Sequence, residues 1–186
     1  MDISGYGRLT VNQQILLDDD ADIYWAPDSS KVAFASEEPG SNLIIVYADG
    51  SGLHRFDTIA SWRSISWSPD SKRLFFLSYG NDLSIADETN NDIQKIKKLE
   101  QDLMIMASVW APDGEYIIFS AYEGGTYVIK PDGSDFRQLS SESDRGFWEL
   151  NWSENSWSPN SEQIALVLEN GLYSVSVSGD SKRLLN

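Results

Sequence analysis

The sequence predicts an all-β fold, a β-propeller of four recognisable four-stranded blades with an extra outer strand at the N-terminus. Three observations predict it. A five-residue motif opening on Trp and holding Pro-Asp or Pro-Asn occurs four times at near-constant spacing. An apolar run rich in β-branched and aromatic residues follows each copy. A further strand-like run, a turn and an outer strand then complete each unit of roughly 40–45 residues, the size of a propeller blade.

The motif is the first element of each unit. Trp25-Ala26-Pro27-Asp28-Ser29 recurs as Trp67-Ser68-Pro69-Asp70-Ser71, as Trp110-Ala111-Pro112-Asp113-Gly114 and as Trp157-Ser158-Pro159-Asn160-Ser161. Four of the six prolines of the chain lie in it. Proline pre-sets φ for the second position of a type I turn, Asp or Asn bonds nearby backbone, and Ser or Gly follows where space is tight. The Trp, Pro and Asp or Asn of each copy recur with the fold, so they are read as structural rather than as one site.

The second element is a strand buried on both faces, because its apolar run is continuous rather than alternating. The runs are Val32-Ala33-Phe34-Ala35, Leu74-Phe75-Phe76-Leu77, Ile117-Ile118-Phe119 and Ile164-Ala165-Leu166-Val167. A hairpin supplies the third and fourth elements. It reads Leu43 to Tyr47, Ala48-Asp49-Gly50-Ser51-Gly52, then His54-Arg55-Phe56. In the third unit Lys130-Pro131-Asp132-Gly133-Ser134 separates Tyr127–Ile129 from Phe136–Leu139. In the fourth, Ser178-Gly179-Asp180 separates Leu172–Val177 from Ser181–Leu185. The second unit is less regular, with Asp87 to Asn91 between Leu83–Ala86 and Ile93–Ile96. Ile93 to Met106 admits a helical reading, but a fourth strand and a connector belong there.

The repeats divide a single domain, 1–186, into blades at about 18–57, 61–99, 103–140 and 148–186. Residues 1–11 form a partial blade. Ile3-Ser4-Gly5-Tyr6-Gly7-Arg8-Leu9-Thr10 matches Val177 to Leu184 in pattern, so it reads as the last turn and outer strand of a preceding blade.

The Trp-Ser-Pro-Asp turn, the buried strand and the Pro-Asp-Gly-Ser turn resemble the WD-like repeats of TolB-type β-propellers. They are also similar to the propellers of prolyl oligopeptidase and dipeptidyl peptidase relatives. The resemblance covers almost the whole chain. It implies rings of six or more blades and, for TolB-like proteins, action through protein partners in the bacterial envelope. Four blades fall short of such a ring. Three arrangements account for that: a piece of a larger propeller, a homodimer completing one ring, or a four-bladed ring closed alone. The resemblance adds nothing catalytic, since the hydrolase domain of the peptidase relatives has no room here and no Gly-x-Ser-x-Gly elbow occurs.

Composition removes several function classes. With 29 acids against 14 bases the net charge is −15, which opposes binding to nucleic acid and to anionic membranes. The absence of cysteine excludes disulfides, thiolate metal sites and Cys nucleophiles, and the one histidine, His54, excludes a multi-His metal site. No run approaches the length of a membrane span, and the N-terminus has no basic and apolar leader. The expected location is cytoplasmic if the chain is whole, and periplasmic or extracellular if it derives from a TolB-like parent. No cofactor is expected. Asp18-Asp19-Asp20-Ala21-Asp22 lacks the alternating ligand spacing and glycine of a calcium loop, so no metal site is assigned to it.

Function is therefore sought on the face that gathers the connectors. By analogy with propellers it collects Asp20, Asp22, Asp82, Glu123 and Glu149, while Lys31, Lys72, Arg73 and Lys182 fall on the opposite, turn face or on outer strands. Such a face attracts cationic ligands or basic segments. The connector before the last blade is the longest. It carries Arg145, Trp148, Glu149 and Trp152, aromatics beside charges in the manner of an interface hot spot. Trp62, Tyr79 and Tyr122 are further candidates on that face. The expected function is a noncatalytic scaffold binding a protein or peptide, with an accessory, gating or glycan-binding role in a larger hydrolytic or sensory protein as the alternative. His54 at a turn offers no nucleophile–base pair.

Overall fold

The computed structural model describes residues 22–35, 42–61, 64–78, 80–99, 104–122, 125–140, 156–168 and 171–185. These residues contain no α-helix. They form antiparallel meanders in chain order. The first sheet holds β1 (Tyr24–Trp25), β2 (Lys31–Ala35), β3 (Asn42–Tyr47) and β4 (Leu53–Ile59). The second holds β5 (Ser66–Trp67), β6 (Arg73–Ser78), β7 (Asp82–Asp87) and β8 (Asp92–Lys98). The third holds β9 (Ile105–Trp110), β10 (Ile117–Ala121), β11 (Gly125–Ile129) and β12 (Arg137–Ser140). The last holds β13 (Gln163–Leu168), β14 (Gly171–Ser176) and β15 (Lys182–Leu184), and a Trp157–Ile164 bridge occupies its inner position. Ile93 to Met106 is thus strand, connector and strand. β8 is a half-exposed outer strand whose residues pair with β7, and that pairing overrides the helical spacing.

The motif turns are built as their residues require, with one feature beyond the sequence reading. Asp28 Oδ1 accepts the Ser30 N–H at 2.9 Å, and Asp113 Oδ1 accepts the Glu115 N–H at 2.9 Å. The fifth motif residue takes a left-handed backbone conformation in all four copies. Ser29, Ser71 and Ser161 have φ of 61°, 60° and 60°, and Gly114 has 76°. Glycine takes this left-handed region without a Cβ penalty, whereas serine there is uncommon. Crowding does decide at Gly133, whose φ is +85° and where a Cβ would stand 2.1 Å from the Ile96 carbonyl oxygen. That contact seats the second turn of the third blade against β8.

Period-two alternation gives each sheet a leading face, toward the preceding blade, and a trailing face, toward the next. The core lies between the sheets. Ala33, Ala35, Leu43 and Ile45 of the first blade meet Trp67, Leu74 and Phe76 of the second. Phe75, Leu77, Leu83 and Ile85 meet Trp110, Ile117 and Phe119 of the third. Ile118 and Val128 meet Trp157, Ile164 and Leu166 of the last. A separate buried cluster, Val32, Phe34, Ile44 and Val46 on the leading face of the first blade, contains no residue of another described blade.

Candidate functional site

Antiparallel pairing sends all the Pro-Asp and Asp-Gly turns to one end of the blades and all the connectors to the other. The inner strands β1, β5 and β9 lie side by side, so the residues leading into them gather at the connector end. Asp22 is exposed there, ahead of β1. Met104, ahead of β9, is also exposed, and its carbonyl accepts the Tyr122 N–H at 2.8 Å. Asp22 and Met104 thus both stand at the connector end, and half-buried Tyr122 adjoins Met104. Sequence reasoning passed over Met104. Its position, just ahead of an inner strand, was the available signal. Asp20, Trp62, Tyr79, Glu123, Arg145, Trp148, Glu149 and Trp152 lie outside the described residues.

Charge at this end is less one-sided than the acidic connectors suggest. Asp82 at the start of β7 pairs with Lys95 at 2.7 Å. β8 runs toward the connector end and brings Lys97 and Lys98 with it. Among the described residues, no group of three or more His, Asp or Glu is placed to hold a metal ion. His54 stands on β4, its Nε2 2.8 Å from Asn91 Oδ1 and its ring centroid 4.5 Å from that of Phe56.

At the turn end the blades are joined by recurrent contacts. The Trp67 indole N–H donates to the Tyr24 carbonyl at 2.9 Å. Trp110 donates likewise to Ser66 at 3.2 Å and Trp157 to Val109 at 3.5 Å. In each case the acceptor is the residue just before the preceding blade's Trp. The Asp28 N–H donates to Ser71 Oγ, and the Asp113 N–H to Ser161 Oγ, both at 3.1 Å. Six residues after the motif Trp, Lys31 lies over the Trp67 ring and Arg73 over the Trp110 ring.

Two positions differ from what the repeat alone suggests. Lys31 stands at the turn end, as expected, at the start of β2. It is buried between blades, paired with Glu88, which also accepts the Tyr47 hydroxyl hydrogen bond. That bond, followed by burial, pushes the Tyr47 hydroxyl above its ordinary pKa. The four motif tryptophans are also not equivalent. Trp67, Trp110 and Trp157 are 5–7% exposed, whereas Trp25 is 60% exposed, with no preceding blade among the described residues.

No protein-family profile matches the chain, and none of the curated proteins does. Solved structures do. The chain is similar to a protein assigned as TolB from Agrobacterium tumefaciens, at 15% identity and a TM-score of 0.62, over 87% of this chain and 63% of that one. It is similar to TolB from Acinetobacter baumannii at 17% identity and a TM-score of 0.56, over 89% of this chain and 43% of that one. The fold is that of a TolB-like β-propeller, and the chain spans less than two thirds of either protein's length.

Proposed function

We propose that the chain is a noncatalytic propeller scaffold that binds a protein or peptide, basic in character, through its connector end. The observation that supports this best is that Asp22 and Met104 are both exposed at that end, with Tyr122 bonded to the Met104 backbone. An adaptable thioether beside a phenol suits the apolar stem of a cationic side chain, and a carboxylate at the same end suits its charge. The net charge of −15 would speed encounter with such a partner. Trp148, Glu149, Arg145 and Trp152 are proposed to extend the surface from the long connector, with Trp62, Tyr79, Glu123 and Asp20 around it. The reading assigns the chain no catalytic step. His54 is engaged with Asn91 and Phe56, as expected of a structural side chain.

The test uses a fluorescent lysine-rich peptide as probe and reads anisotropy for the full chain and for the double variant Trp148→Ala, Glu149→Lys. Loss of a hot-spot aromatic with reversal of a charge should weaken binding at least about tenfold. Added salt should weaken wild-type binding further. Unchanged affinity in the double variant removes the proposed surface. No binding of the probe by the wild type removes the basic-partner reading.

A further inference from the structure

Charge is segregated among the strands. The outer strands β4, β8, β12 and β15 hold seven of the chain's 14 bases and two of its 29 acids. The outer rim is thus basic in a chain whose net charge is −15. β8 is the strongest case, with Lys95, Lys97 and Lys98 within four positions. Lys95 and Lys98 are exposed and Lys97 is half-buried. β8 belongs to the second sheet, which has a described blade on either side.

Strict alternation would put Lys95 and Lys97 on one face of the sheet and Lys98 on the other. A β-bulge changes that. Ser84 pairs with Lys95 and Leu83 with Lys97, so Ile96 is the extra residue. Lys97 is thereby turned to the trailing face, where its Nζ lies 4.5 Å from the ring centroid of Phe136 in the third blade. Lys95 and Lys98 share the leading face, opposite Ser84 and Asp82, and Lys95 pairs with Asp82 at 2.7 Å. Positive charge therefore stands on both sides of the outer edge. No described strand pairs with that edge. The Ile96 carbonyl, however, already lies against Gly133. The edge thus offers lysine side chains rather than a continuous backbone ladder for an added strand.

We propose that β8 is a docking ridge for an acidic, extended segment of a protein partner, held by Lys95, Lys97 and Lys98. Three strand steps separate the first lysine from the last, a span of about 10 Å. Successive carboxylates of an extended segment alternate sides, so a segment laid along the ridge reaches the cations on both faces. The lysine stems and the Phe136 ring supply apolar contact beneath the charges. The width of the ridge selects the class of partner. A single basic strand fits one chain, whereas a duplex or a bilayer would also meet the rest of a strongly anionic surface. Lysines on an edge strand also deter pairing with other sheets, but that role alone confers no affinity for an acidic segment. The ridge lies on the outer rim and does not depend on the connector-end reading.

The test reads the anisotropy of a fluorescent glutamate-rich peptide on the full chain at low ionic strength. The wild type should bind it, and added salt should weaken binding. The double variant Lys97→Glu, Lys98→Glu should bind at least about tenfold more weakly, with circular dichroism checking its fold. Lys98→Glu alone changes an exposed position and should cost about threefold, which keeps the test intact if the double variant does not fold. Lys72→Glu makes the same change of charge at an exposed motif turn and should hold affinity within about twofold. The Lys97, Lys98 variant should still bind the lysine-rich probe, and the Trp148, Glu149 variant should still bind the glutamate-rich one, so the two surfaces fail separately. No binding by the wild type overturns the proposal and leaves the lysines as guards of the edge. Unchanged affinity in the folded double variant also overturns it, as does an equal loss at Lys72 and Lys98, which would reflect overall charge. Equally tight binding of duplex DNA or phosphatidylserine vesicles through the same lysines overturns the choice of a protein segment.

Discussion

The tryptophan that opens each repeat has the same local sequence four times and two different energetic roles. Trp110 is buried between Arg73 and the second blade's core, with its indole N–H on Ser66. Removing it leaves a cavity and an unmet carbonyl, so Trp110→Ala should destabilise the fold by about 3–5 kcal/mol in urea titration. Trp25 has no such seat, and Trp25→Ala in the monomer should change stability by only about 0.5 kcal/mol or less. Equal losses at the two positions would show that Trp25 is packed in solution. The motif made all four tryptophans legible in the sequence. The difference between them was not, because it depends on what packs against the ring across a seam rather than on any residue within five positions. The fifth motif residue was legible as a turn residue, but its contact across the seam was not. Ser71 and Ser161 are buried at positive φ, and their hydroxyls accept N–H groups of the preceding blade.

At the scale of the strand and its turn, aspartates hold the hairpins. Hydrogen bonds from Ser30 keep the Asp28 carboxyl below its ordinary 3.8, and bonds from Ser51, Ser134 and Ser178 do the same for Asp49, Asp132 and Asp180. For Asp70 burial is the largest influence and acts upward, but the bonds from Ser68 and Lys72 outweigh it. A carboxyl whose folded pKa is depressed contributes stability that is full above its unfolded value and is lost as pH falls through the folded one. Thermal melts should therefore show these turns contributing in full above about pH 5, with their contribution lost progressively as pH falls below that. Asp132→Asn should remove part of that acid loss, because the amide oxygen still accepts from Ser134 but does not titrate. A melting temperature that falls steeply between pH 7 and 5 would place the controlling groups elsewhere. These turns were readable because Asx chemistry is local. The buried Lys31–Glu88 pair was not, since its partners are 57 positions apart and meet only when two blades pack.

For the whole molecule, the arrangement of the core matters more than its extent. Among the described residues, three of the four buried clusters are made by adjacent sheets, so stability should be close to a sum over neighbouring seams. The blade count and order were legible because each blade repeats the same hairpins. How the ends are covered was not, because no local pattern encodes it, and most of the candidate surface lies on connectors whose sequences do not repeat. Seam-wise stability makes a testable demand on hydrogen exchange. Trp157→Ala removes the centre of the third cluster and leaves the first two intact. Amides of β13 and β14 should then lose most of their protection, and those of β10 part of it. Amides of β2, β3, β6 and β7 should exchange as in the wild type, since opening of one unit need not open its neighbours. A uniform fall across all four sheets would mean that the blades unfold as one cooperative body. Loss of the third cluster would then weaken the entire chain rather than its final seam alone.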